Sequence, residues 1–204
     1  MAVLLALPVQ AQELKKAGVA QQQLMLERFS QAAAAIRTLD CSFTQVKTLR
    51  FLNDKMTSQG RMLYDAGGKL RWEYTQPYQY TFVINGDKVH IKSRQSFHSI
   101  DIRQSRLFQG IAEVMMQSVT GKGLTASSNF GCAMYTHGGE WVALLSPRRK
   151  EMKKLFKEIH LHLSASKQVV TRVEMVEPSG DTTVIVLKDV KANVQLDEKM
   201  FAVE

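Results

Sequence analysis

The chain is poor in the residues that staple or break a fold. Of its 204 residues only two are cysteine, Cys41 and Cys132, so a disulfide framework is excluded and one bridge at most is open. Both thiols also sit in apolar, strand-like surroundings, where a buried free cysteine is common, and the sequence leaves that choice undecided. Only four prolines occur, with no low-complexity tract and no internal repeat, so nothing marks a linker between domains. No apolar run is long enough for a membrane span. Catalytic signatures are missing too: no Gly-x-Ser-x-Gly elbow, no glycine-rich phosphate loop, no Cys-x-x-Cys and no His-Glu-x-x-His. These absences argue against an enzyme. Acidic charge is also scarce, 19 Asp and Glu against 27 Lys and Arg, and the resulting net charge of +8 favours an anionic partner.

What is present begins with an apolar segment, Ala2 to Val9, followed by Val9-Gln10-Ala11 with small residues where a signal peptidase reads. Residues 1–11 are accordingly read as the tail of a secretory signal and residues 12–204 as one exported domain. Export removes nucleic acid from the list of anionic partners. Glu13 to Leu39 has a helical period, with Met25, Phe29, Ala32 and Ile36 on one stripe. Alternation starts immediately after it, with Cys41, Phe43 and Gln45 against Ser42, Thr44 and Val46, and a second strand is expected from Ser58 to Tyr64.

The chain is organised around Lys69 to Asp87. Leu70, Trp72 and Tyr74 point one way and Arg71 and Glu73 the other; after Gln76-Pro77 the pattern resumes with Tyr80, Phe82 and Ile84. Asn85-Gly86 turns the chain into a further strand, Lys88 to Lys92. Between Ser105 and Val119, Leu107, Ile111, Val114, Met115 and Ser118 share a helical face, and Gly121-Lys122-Gly123 stops the helix. Met62, Met115, Met116 and Met134 suit a surface that adapts to chains of variable shape. A hairpin is expected from Phe130 to Ser146 and another from Val169 to Val190, with Phe201 docking a final edge. Arg148, Arg149, Lys150, Lys153, Lys154 and Lys157 are six cations in ten residues, a solvated face or a docking patch for anionic headgroups or an acidic surface. His160 and His162 alternate on one strand face without enough nearby ligands for a metal, and are expected on its exposed side.

Phe43-x-Gln45, Gly60, Leu70-Arg71-Trp72-x-Tyr74, Pro77 and Asn85-Gly86 together resemble the periplasmic outer-membrane lipoprotein carriers of the LolA type. Trp141, the run Leu144 to Pro147, Ile159, Gly180 to Thr183, Asn193 and Phe201 extend the resemblance over about residues 20–203. It implies a mostly β (α+β) fold, an incomplete antiparallel β-barrel whose apolar concave face is covered by an N-terminal and a middle helix. Phe43, Met62, Trp72, Tyr74, Phe82 and Ile84 would then form a lipid-binding cavity, with Leu107, Ile111 and Met115 as its lid. The implied role is a monomeric periplasmic carrier that takes acylated lipoproteins from an inner-membrane ABC-type release complex to an outer-membrane receptor or membrane, with no cofactor or metal. A same-fold module for free lipid or glycolipid, a sensor of mislocalised lipoprotein, and a structural envelope protein are the alternatives. One departure bears on the lid. Where the best-studied carriers have an Arg-Pro pair ahead of the tryptophan, this chain has Tyr64-Asp65-Ala66-Gly67, and Arg71 lies on the opposite strand face.

If residues 1–11 are a cleaved leader, N-terminal sequencing of protein from its native host will begin near Gln12; retention of Met1 would remove the export reading.

Overall fold

A computed structural model describes residues 13–104, 106–120, 129–164, 166 and 169–202, with the backbone alone for 106–108, 118 and 119. The expected leader, residues 1–11, and the Gly121-Lys122-Gly123 stop lie outside the described residues. In chain order the elements are β1 (Lys15–Lys16), α1 (Val19–Ala35), β2 (Thr38–Leu49), β3 (Asp54–Asp65), β4 (Lys69–Gln76), β5 (Tyr80–Asn85), β6 (Lys88–Ser93) and β7 (Phe97–Asp101). They continue with α2 (Arg106–Thr120), β8 (Phe130–His137), β9 (Glu140–Pro147), α3 (Lys150–Leu155), β10 (Glu158–Leu163), β11 (Val170–Val176) and β12 (Thr182–Ala192).

All twelve strands join one antiparallel sheet in the order β1-β8-β9-β10-β11-β12-β2-β3-β4-β5-β6-β7. The two ends of that order do not pair, so the sheet stays open and is not a closed barrel. Its seam is β12 against β2, which brings Leu187 opposite Phe43 and Ile185 opposite Gln45. From there the alternating residues Leu39, Cys41 and Phe43, then Met62 and Tyr64, then Leu70 and Trp72 form one buried apolar face.

Five expectations shift. The N-terminal helix starts at Val19, because Lys15 and Lys16 pair with Thr136 and Tyr135 of β8. Ala17 N–H donates to the Met134 carbonyl at 3.0 Å, and the Gln22 amide accepts from Met134 N–H at 3.1 Å, so the start of the chain satisfies an edge that would otherwise be bare. Within α1, Ala33 rather than Ala32 joins Met25 and Phe29 in the core. Strand β3 begins at Asp54, since it pairs with β2 along twelve positions. β7 was not anticipated: it is an edge strand whose Phe97, His98 and Ser99 are exposed, so it lacks the alternation that marks a half-buried strand. Phe201 docks no edge; it packs on the convex face against Leu63 and Val83, and Arg71 Nη1 donates to the Met200 carbonyl at 3.2 Å to hold that segment.

Gly60 stands opposite Phe43 across the β2–β3 ladder. A Cβ there would lie 1.9 Å from the Glu73 carbonyl oxygen and 2.6 Å from the Phe43 ring, so only glycine lets the ring lie across the strand. Gly60→Ala should therefore lower stability by about 1–3 kcal/mol in denaturant unfolding, while Gly18→Ala, where a Cβ meets nothing within 4 Å, should change little.

Candidate functional site

Phe43 organises the site from below. Its ring centroid lies 4.8 Å from that of Trp72 and 5.1 Å from that of Tyr74, the latter in an edge-on arrangement. These contacts fix the two aromatic rings that alternation places on the concave face of β4. Tyr74 is further fixed by its hydroxyl, which donates to Gln45 Oε1 at 2.9 Å. Burial pushes the Tyr74 hydroxyl above its ordinary pKa, with Tyr80 adding to it, so it stays a donor at physiological pH.

Above these rings lies a cavity of about 220 Å³. Its floor is Gln45, Trp72 and Tyr74, with Val173 and Met175 of β11 and Ile185 and Leu187 of β12 continuing it across the seam. Its roof is Ile111, Val114 and Met115 of α2, and Phe156, just beyond α3, closes one side. Among the described residues the polar groups of that lining are Gln45, whose Oε1 is engaged, the Tyr74 hydroxyl and the Trp72 indole N–H, and no charged side chain takes part. The arrangement can hold an apolar chain by burial.

The roof is an amphipathic helix in contact with β11 and α3. Ala112 and Val114 are buried beneath it, while Gln117 donates to Glu113 Oε1 at 2.8 Å on the flank. Gly110 allows the close approach to α3: a Cβ there would meet Met152 Cε at 2.5 Å. Met115 in the roof and Met175 in the floor are unbranched and adapt their shape to whatever lies between them.

Among the residues expected to bind, the structure brings Trp72, Tyr74, Ile111 and Met115 together around the void. Phe43, Met62 and Ile84 are core residues rather than lining, and Phe82 is partly buried against the same core. Leu107 has its side chain outside the described residues. Sequence reasoning missed Gln45, Val173, Met175, Ile185 and Leu187 as site residues, although alternation had put each on a strand. It also missed Phe156, which stands at the end of a run read only for its charge.

Both cysteines are free. Burial pushes Cys41 up to about 12 and Cys132 up to about 11, so neither carries a thiolate near neutral pH. His162 is not on an exposed face. It is buried between Glu140, at 3.3 Å from Nδ1, and Glu174, at 3.4 Å from Nε2, on the convex side. The His162 ring beside it, with Arg172, holds the Glu174 carboxyl below its usual range. Among the described residues no group of three His, Cys, Asp or Glu side chains could hold a metal.

An open one-sided sheet, an unfilled apolar cavity and an amphipathic helix for its roof define a binder of apolar chains. The family model described as outer membrane lipoprotein carrier protein LolA matches residues 34–204, and the chain belongs to that family. An outer-membrane lipoprotein carrier protein of Methylococcus capsulatus is 27% identical over 169 residues, covering 81% of this chain and 76% of its own length. One from Pseudomonas paraeruginosa is 27% identical over 183 residues and covers 83% of each chain. A crystal structure of an uncharacterised conserved protein from Thermus thermophilus shares the fold, with a TM-score of 0.51 at 11% identity over 88% of this chain and 91% of that one. At the level of the family, then, the chain is a carrier that binds lipoprotein or lipid.

The Tyr74–Gln45 bond yields a test of how the floor is held. Tyr74→Phe strands Gln45 Oε1 in an apolar wall and should cost about 1–2 kcal/mol in chemical denaturation. Adding Gln45→Leu should recover part of that loss, because the unsatisfied partner is then gone.

Proposed function

We propose that this protein is a periplasmic carrier that holds the acyl chains of lipoproteins under α2 and moves them from the inner to the outer membrane. The observation that most supports this reading is the unfilled, uncharged cavity between the sheet and an amphipathic helix. Ile111, Val114 and Met115 roof the void of about 220 Å³, and they act as a cover that an entering acyl chain displaces.

Each methylene taken from water contributes about 0.8 kcal/mol, so even partial enclosure holds an acyl group firmly. The lining adds no hydrogen-bonded clamp on the chains, and that suits a carrier whose hold must remain weaker than its acceptor's. The donor in this reading is an inner-membrane ABC-type release complex, the acceptor an outer-membrane receptor or membrane, and the carrier works as a monomer.

The test has two arms. Native mass spectrometry of protein from a periplasmic extract should show an acylated peptide retained; free lipid in its place would point to a lipid-binding module of the same fold, and an empty protein would remove the carrier reading. In the second arm, Ile111→Ala should cost less than about 2 kcal/mol, compared with the roughly 2–5 kcal/mol of a well-packed core site, because the cavity beneath it is already incompletely filled. The variant should also bind an apolar fluorescent probe more tightly, since its closed state competes less with the ligand. Full core cost with no probe binding in either protein would make α2 a fixed plug.

A further inference from the structure

On the carrier reading, we propose that one rim of the sheet is a docking surface for an anionic phospholipid bilayer, with the β2–β3 hairpin tip inserting into it. The tip carries Phe51, 97% exposed, and Leu52, 64% exposed, the two residues between Arg50 and Asn53. Among the described residues nothing buries the Phe51 side chain. Asn53 turns the chain there with a positive φ of 48°, so the tip is a formed turn that projects two adjacent apolar side chains.

Antiparallel order decides what shares their rim. The ends of β2, β4, β6, β9 and β11 all lie on the same side as this tip, with the starts of β3, β5, β7, β10 and β12. The same rim therefore carries Met56 at 49% exposure, Tyr78 at 77% and Phe97 at 51%. With Phe51 and Leu52 they are five of the nine exposed large apolar residues among those described. Single exposed apolar side chains are ordinary; a concentration of them along one rim marks an interaction surface.

The rim is also where the segment around α3 sits, between the end of β9 and the start of β10. Arg148, Lys150, Lys153, Lys154 and Lys157 are exposed there, with only Glu151 of opposite sign on the helix. Arg50, Lys55 and Arg94 add to them, against Asp54 at the tip and Glu177 and Asp181 in the neighbouring turn, where Glu177 is engaged by Lys47 at 3.2 Å and Asp181 accepts from Arg50 N–H at 2.8 Å. Exposed apolar tips among excess cations are complementary to anionic headgroups over hydrocarbon. An acidic protein surface would match the cations but would leave Phe51 and Leu52 unexplained.

A cleft of about 450 Å³ at the same rim, lined by Met56, Thr57, Ser58, Pro77, Tyr78 and Tyr80, shares Tyr74 with the inner cavity. An acyl chain leaving the floor past Tyr74 emerges beside Met56 and Tyr78, where the bilayer would lie. The consequence is direct discharge into a membrane, with no protein receptor required to take the cargo.

The test is flotation with vesicles of phosphatidylethanolamine and phosphatidylglycerol, and with vesicles of phosphatidylcholine alone. Wild type should float with the anionic vesicles and less so as salt rises. The double variant Phe51→Glu, Leu52→Glu should reduce the bound fraction about tenfold or more at unchanged melting temperature, both positions being exposed. Lys153→Glu with Lys154→Glu should weaken binding to the anionic vesicles and its salt dependence while leaving the Phe51 and Leu52 contribution in place. Phe51→Trp should shift its emission to the blue on adding anionic vesicles. Absence of flotation by wild type, flotation indifferent to the Phe51 and Leu52 variant, or retention by outer-membrane protein but not by its extracted lipid would each overturn the proposal. An apolar probe separates this from the carrier reading: filling of the cavity by a protein that ignores vesicles leaves the carrier and removes the dock. Flotation through Phe51 and Leu52 by a protein that takes no probe would do the reverse.

Discussion

A twelve-stranded sheet that is apolar on one face and does not close on itself has to be covered, and that constraint accounts for most of this structure. Burial of apolar area at about 25 cal/mol per Å² is the main favourable term in such a fold, so an uncovered concave face would be both unstable and sticky. α1 packs against β8 at one end of the sheet, and α2 lies over β11, close to the seam. Neither helix fills the hollow completely. What remains is the void over Trp72 and Tyr74, so the site is the part of the core that the covering elements leave unpacked.

The convex face solves the opposite problem. It has to meet water and still protect Leu63 and Val83, which alternation turns outward from β3 and β5. The C-terminal segment does this with Phe201, held by Arg71, whose Nε also donates to Glu73 at 2.9 Å. Further along, Arg61 makes paired bonds of 2.8 Å to Asp40, and its guanidinium holds that carboxyl below the usual range. His162 between Glu140 and Glu174 belongs to the same pattern, cross-strand polar pairing on the convex face. The charge of Arg71 is therefore engaged by the C-terminal segment, and among the described side chains the cavity roof makes apolar contacts.

Where a residue's neighbours are close in sequence, the fold and site were legible. Leu70, Trp72 and Tyr74 alternate over a short stretch and pair with a hairpin neighbour, so their face follows from period alone. Ile111 and Met115 are one helical turn apart and point together for the same reason. The seam was not legible in this way. β12 reaches β2 from the far end of the chain, and no local pattern says that Ile185 and Leu187 will continue the floor begun by Gln45 and Phe43. Lys15 and Lys16 read as helix because nothing nearby contradicts it; only the bare edge of β8, far downstream, recruits them as a strand. Gly60 was visible as part of a family pattern, but the reason for it, a phenylalanine ring lying across the next strand, is a tertiary fact. His162 was placed on a wet face by alternation, which is right about direction and silent about the two carboxylates that bury it.

The unfilled cavity also bears on how a carrier can let go. A roof helix packed to interior density would make opening cost what any core separation costs, and one that made no contact would leave the concave face exposed to aggregation. α2 lies between these limits: Ala112 and Val114 are buried, while Ile111, Met115 and Met116 are only partly so. On the proposed carrier reading, a ligand that fills the void regains dispersion contacts that the empty protein forgoes. The same incompleteness limits affinity, because a floor of Val173, Met175, Ile185 and Leu187 offers area without a directional bond. On the proposed carrier reading, transfer to an acceptor is then governed by how much apolar area each side covers, a difference that shape can tune in steps of about 0.8 kcal/mol per methylene.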